Sequence, residues 1–139
     1  MGKHIRNLAV GLPRRDDHVF VSLGSDRITG DQFCRAIGGG IDFGERAADA
    51  LVREFREELD VSVAPTALLG VIENLFTFEG EDGHEIVHVF SVESPELDRV
   101  DLDTSLTILD VGTPARWWRL DDLLRSDPPL YPVGILDLF

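Results

Sequence analysis

The stretch from Gly38 to Val61 constrains this chain more than any other part of it. Three consecutive glycines lead through a short turn into a run with helical period. From residue 45 to residue 59, Ala48, Leu51, Val52, Phe55 and Leu59 recur at three- and four-residue spacing, which predicts an amphipathic helix with Glu45 in its first turn. At about 100° per residue, Glu54, Glu57 and Glu58 share a stripe about 100° wide that borders the sector filled by those apolar residues. Like charges three and four residues apart cost an isolated helix about 0.2–0.5 kcal/mol per pair. Near the C-terminus they also oppose the helix dipole. Stability alone does not select such a stripe. It reads either as a solvated acidic face with an ordinary Arg53–Glu57 pair, or as a seat for a hard cation whose charge reverses the sign of the repulsion.

The rest of the chain predicts strands on both sides of this helix. Residues 5–12, 18–23 and 33–37 read as strands before it, and residues 68–78 and 85–92 as a hairpin around a turn at 80–83. Residues 93–103 read as an acidic loop, and 115–120 as a late strand followed by a short helical turn capped by Asp121. The tail from residue 131 is too short to assign. Strands, one strong helix and strands again make an α+β or mixed α/β domain. With 139 residues and no linker or repeat, residues 1–139 read as a single domain.

Charge narrows the partners. Thirteen basic residues stand against 26 acidic ones, a formal net charge of −13, so a nucleic acid polymer or an anionic membrane surface would be repelled. A small anion can still bind if a divalent cation comes with it. The single cysteine, Cys34, has no partner within the chain and reads as a buried thiol. With no apolar leader in the first six residues and no run of about 20 apolar residues, the expected location is cytoplasmic.

Counting from Gly39, Glu45 follows after five residues, and Arg53-Glu54 after seven more. Then come Phe55, Arg56, Glu57, Glu58, Leu59, Asp60 and Val61. This spacing resembles the Nudix box, Gly-x5-Glu-x7-Arg-Glu-U-x-Glu-Glu-x-Gly-U, where U is a bulky apolar residue. One fixed position departs: Asp60 stands where the family has glycine. That position follows the helix and is expected to take the left-handed conformation of a C-terminal cap, which Asp tolerates at a cost of about 1 kcal/mol. Ile37 stands where many relatives carry proline.

The resemblance implies a Nudix-like α/β/α sandwich with a mixed central sheet, in which the box forms a loop–helix–loop. It implies metal-dependent hydrolysis of a diphosphate linkage in a small nucleotide, with Mg²⁺ or Mn²⁺ as cofactor. Carried onto matching positions, Glu54, Glu57 and Glu58 would hold metal together with the Gly39 carbonyl. Glu54 or Glu57 would also order or deprotonate water, Arg53 would orient a carboxylate and Glu45 would support it. The bare backbone of Gly38, Gly39 and Gly40 would let substrate approach. The general base lies inside the box or in a later segment, with Glu73, Glu85, Glu93 and Glu96 as candidates. Glu73 and Glu85 read more readily as outward-facing strand positions than as the base. One of Trp117 and Trp118 must point inward; the other, Phe76 or Phe78 could stack on a base. His84 reads as a turn residue, and His4, His18 and His88 show no metal-ligand spacing.

Signatures of the family's ADP-ribose, NADH and dinucleoside-polyphosphate groups are absent. This leaves a nucleoside triphosphate or a nucleoside diphosphate linked to another group. The reading from another class is a catalytically idle Nudix fold that senses nucleotides or binds proteins; a third is an acidic helix that takes Ca²⁺ for stability. Oligomeric state stays open, and a homodimer is compatible with the sequence.

Overall fold

The computed structural model describes residues 3–138. Strands β1 (Arg6–Arg15), β2 (His18–Ser25), β3 (Gln32–Arg35) and β4 (Ile37–Gly40) precede helix α1 (Ala47–Leu59). After it come β5 (Ala64–Phe78), β6 (Glu81–Glu93), a short helix α2 (Pro95–Asp98), β7 (Leu106–Thr107), β8 (Pro114–Arg119), α3 (Leu120–Leu124), β9 (Leu130–Tyr131) and a 3₁₀ turn (Ile135–Leu138). The strands run in the order β5-β6-β1-β2-β3-β9, with β4 beside β1 and β8 between β2 and β7. β1 pairs with β6 and β3 with β9 in parallel, and the remaining pairs are antiparallel, so the sheet is mixed as expected.

Alternation along the strands builds two cores. One face of the sheet carries Ala9, Phe20, Phe90, Val92 and Trp117 against Leu51, Phe55 and Leu59 of α1. The other carries Leu8, Val10, Leu12, Val87 and Val89 against Leu123 of α3 and Ile135 of the 3₁₀ turn. Helix therefore covers both faces. α1 lies close on β1 at Gly11, where a Cβ would stand 3.0–3.2 Å from Phe55, Val92 and Leu51. No described helix is long and apolar enough to cross a membrane.

Several local expectations change. α1 begins at Ala47, not Glu45, because residues 42–45 close their own turn: Glu45 N–H donates to the Asp42 carbonyl at 3.0 Å, and Asp42 N–H donates to the Glu45 carboxylate at 3.1 Å. The glycine run is itself strand β4, each residue paired across to β1. The buried arc of α1 is rotated towards its acids. At about 100° per residue, Ala50 lies about 40° from Glu54 on the side of Glu57 and is fully buried, whereas Val52, expected in the core, is 39% exposed. Glu54 and Glu58 thus sit inside the buried arc rather than beside it.

The acidic loop contains α2, whose start is set by Ser94: its Oγ accepts the Leu97 N–H at 3.2 Å, with Pro95 in the first helical position. Asp121 does not cap α3. The cap position is Arg119, with no side-chain bond, and Asp121 lies in the first turn. Asp60 ends α1 at φ 55°, ψ 41°, left-handed as expected, and donates its N–H to the Arg56 carbonyl.

Candidate active site

The site forms where β4 passes beneath α1. Gly39 pairs with Ala9 of β1, and an added Cβ there would stand 2.5–2.7 Å from the Glu54 carboxylate atoms. The carboxylate therefore rests in the space that any other residue would fill. A side chain at Gly38 would meet the Ala9 carbonyl oxygen at 2.0 Å. Two of the three glycines are needed for close approach alone.

Arg53, one helical turn before Glu57, organises the acids around it. Its Nε and Nη2 fork the Glu45 carboxylate at 2.9 Å each, and Nη2 also donates to the Gly40 carbonyl at 2.9 Å. Nη1 donates to Glu54 at 3.0 Å and to Glu57 at 3.2 Å. The bonds from Arg53 hold the Glu45 carboxyl down at about 2, and the carboxylates in turn raise the Arg53 guanidinium. Glu45 thus locks the loop to the helix from outside α1.

Glu54 has only part of that relief from Arg53, and Glu58 has none. Burial pushes the Glu54 carboxyl up, against the pull of Arg53, and the charges of Glu57 and Asp110 add to the rise. Burial pushes Glu58 up to about 7, helped by Glu54 and Asp110 and opposed by Arg35 and the Gly38 N–H. Glu57 is different: its side chain is 56% exposed and is held by Arg53. Among the described residues, no three His, Cys, Asp or Glu side chains converge closely enough to hold a metal ion. Arg53 occupies Glu54 and Glu57 instead. The donor chemistry still fits a hard divalent cation, because it is all carboxylate and carbonyl oxygen, carries excess negative charge and sits partly out of water.

Asp110 escaped the sequence reading. It lies between β7 and β8 in a loop closed by Ile108 and Thr113 and tied to α1 by a 2.8 Å bond from Leu109 N–H to the Glu58 carbonyl. A lone acid in a short loop carries no spacing signal; only the fold brings its charge to bear on Glu54 and Glu58.

Beside the acids a cleft of about 300 Å³ opens, with Gly38, Glu58 and Arg35 at one side and Phe33, Phe78, Ile108 and Val111 as its apolar wall. A larger, open hollow of about 750 Å³ lies between His4 and Ile5 and the end of the β5–β6 hairpin, and no residue of the box lines it. Phe78 lines the cleft, while Phe76 lines the hollow. Neither tryptophan does either: Trp117 is buried edge-on against Phe20 and donates to the Leu97 carbonyl, and Trp118 lies under the Arg116 guanidinium. The later glutamates are not gathered into the acid group. Glu73 is exposed near His84, and Glu96 accepts the Ser62 N–H. Glu93 is exposed at the end of β6. Glu85 corrects the outward-facing expectation: it is 5% exposed, alternates with Val87 and Val89 on the face away from α1, and pairs with Arg6. Cys34 is buried, and burial pushes its thiol up to about 12.

Solved structures share this architecture. The MutT NUDIX hydrolase from Burkholderia pseudomallei is 20% identical, with a TM-score of 0.68 over 98% of this chain and 97% of its own. The E. coli ORF135 protein is 20% identical, with a TM-score of 0.62 over 98% of this chain and 87% of its own. A structure described as an ADP compounds hydrolase is 20% identical, with a TM-score of 0.51 over 87% of this chain and 62% of its own. At such identities the likeness shows a common fold. No curated protein matches the sequence. The family model described as NUDIX domain matches residues 5–134, nearly the whole chain, and the chain therefore belongs to the Nudix family.

Proposed function

We propose that this Nudix-type pyrophosphohydrolase cleaves a diphosphate linkage in a small nucleotide, either a nucleoside triphosphate or a nucleoside diphosphate linked to another group. Mg²⁺ or Mn²⁺ is its cofactor, held by Glu54, Glu57, Glu58 and the Gly39 carbonyl. One observation carries this reading: Glu54 and Glu58 are packed into the buried arc of α1 against bare glycine backbone, with their carboxyls pushed up and too little positive charge to offset them.

When bound, the cation neutralises the diphosphate and lowers the pKa of an attacking water. The chain's own residues prepare the rest. Arg53 fixes the rotamers of Glu54 and Glu57, and Glu45 fixes Arg53 from the far side. Exposed Glu57 is the acid freest to turn from Arg53 towards a ligand. Glu54 or Glu57 serves as general base within the box; Asp110, the later-loop acid felt by both Glu54 and Glu58, is the alternative. The charge of −13 and the small cleft favour small nucleotides over polymers.

A panel of nucleoside triphosphates and nucleotide-linked diphosphates, incubated with Mg²⁺ and read by product identity, tests the proposal. The expected products are a nucleoside monophosphate with pyrophosphate, or two monophosphate fragments. Nucleotide binding without hydrolysis across the whole panel would overturn it in favour of a sensing module.

A further inference from the structure

We propose that Arg35 is a substrate-binding residue that holds the phosphate nearest the nucleoside, so that the cleft selects nucleotides over nucleosides independently of the metal. Its place in the reaction rests on the hydrolase reading above, but its binding role does not.

Strand alternation puts Arg35 where it can act. Cys34 points into the core behind the sheet, so Phe33 and Arg35 point to the α1 side and line the cleft. Register seats Phe33 opposite Gly24 and Arg35 opposite Ser22. A Cβ at Gly24 would come within 3.2 Å of the Phe33 ring, so the glycine leaves that ring its place in the wall. Phe33 meets Phe78 edge-to-face with centroids 5.9 Å apart, giving an apolar aromatic corner against which a base can pack. About 300 Å³ is room for one nucleoside.

Its place at the cleft sets Arg35 apart from Arg46 and Arg99, which also hold no carboxylate among the described residues. Arg6, Arg27, Arg53, Arg56, Arg119 and Arg125 each hold a carboxylate. Among the described residues, the Arg35 guanidinium has no hydrogen bond or ion pair, although acids outnumber bases 26 to 13 along the chain. It is the sole cation lining the cleft, and Glu58, whose carboxyl feels its charge, is the sole acid. An arginine fork at that place matches phosphate oxygens in two parallel bonds. A nucleotide entering the cleft therefore meets the aromatic wall with its base, Arg35 with its first phosphate and α1 with the phosphates beyond.

Calorimetry without metal, with the four common nucleosides and their monophosphates as probes, tests this on wild type, Arg35→Ala and Arg35→Lys. Wild type should bind at least one monophosphate about tenfold or more tightly than its nucleoside, Arg35→Ala should erase the difference, and Arg35→Lys should restore part of it. Mn²⁺ affinity should hold or tighten in Arg35→Ala, because a repelling charge is removed. In turnover assays KM should rise more than kcat falls. A monophosphate preference that is absent from wild type or survives in Arg35→Ala overturns the proposal. So does a joint loss of Mn²⁺ and nucleotide affinity, which would mean that Arg35 only shapes the acids. A wild type that shows the preference but hydrolyses nothing would instead overturn the hydrolase reading.

Discussion

Among the described residues, two clusters of acids around an arginine, one beside β2 and one at α1, behave in opposite ways. In the turn after β2, Asp26 accepts backbone N–H groups from Ile28, Thr29 and Glu79, while Arg27 forks Glu79 at 2.7 and 3.1 Å. Hydrogen bonds there lower both the Asp26 and the Glu79 carboxyls. At α1, Arg53 satisfies Glu45 and partly Glu54 and Glu57, and Glu58 is left to burial and its neighbours' charge. The first cluster is complete as it stands and joins two loops. The second has an acid too many. A region whose charges are all answered is read as structure, and one that holds surplus charge in a cleft is read as a site.

The largest effect should separate the clusters by rate. Glu57→Gln or Glu58→Gln should cut Mg²⁺-dependent hydrolysis by roughly a hundredfold or more, since lost charge stabilisation of several kcal/mol costs tenfold per 1.36 kcal/mol. Asp26→Ala should leave turnover near wild type in the same assay. Equal losses at both clusters would erase the distinction.

Stability against pH should separate them by sign. Glu58 has its folded carboxyl at about 7 against an ordinary value of 4.5. From pH 4.5 to 7 the unfolded chain therefore loses this proton while the folded chain keeps it, and metal-free stability falls as pH rises. Asp26 and Glu79 are lowered, so their contribution is present above the ordinary carboxylate range and is lost as pH falls through their folded values. Denaturant melts of metal-free wild type and Glu58→Gln across pH 4.5–7.5 check this: the downward slope towards neutral pH should shrink in the variant.

The smallest effect concerns the end of α1. Asp60→Gly should be neutral or stabilising by up to about 1 kcal/mol, with turnover retained, because the position is left-handed and its carboxylate pairs only with exposed Arg56. A tenfold fall in turnover with metal affinity intact would draw Asp60 into the catalytic group.

How much of this was legible in the sequence follows from the kind of signal each part leaves. The spacing from Gly39 to Val61 is local, so α1, Arg53 with its acids and the left-handed Asp60 can be read from residues alone. The β5–β6 hairpin carries a strand pattern on both arms and runs a few residues longer than that pattern predicts. Glycine has no strand preference, so β4 is invisible until β1 pairs with it. The rotation of α1 turns on Ala50, whose weak apolar signal is outweighed by exposed Val52. Glu85 looks polar and outward in sequence, yet β6 turns it inward towards Arg6. Arg35 and Asp110 gain meaning only when strand register and a loop bring them to the acids.

On the proposed function, the surplus acid at α1 is a seat for a divalent cation. Titration of Mn²⁺ into wild type and into the Glu54→Gln, Glu58→Gln double variant, followed by thermal unfolding, measures whether that seat binds metal. The midpoint should climb with Mn²⁺ in wild type and stay flat in the double variant, whose metal-free midpoint should be no lower than that of wild type because repulsion has been removed. An undiminished Mn²⁺-dependent rise in the double variant would contradict it.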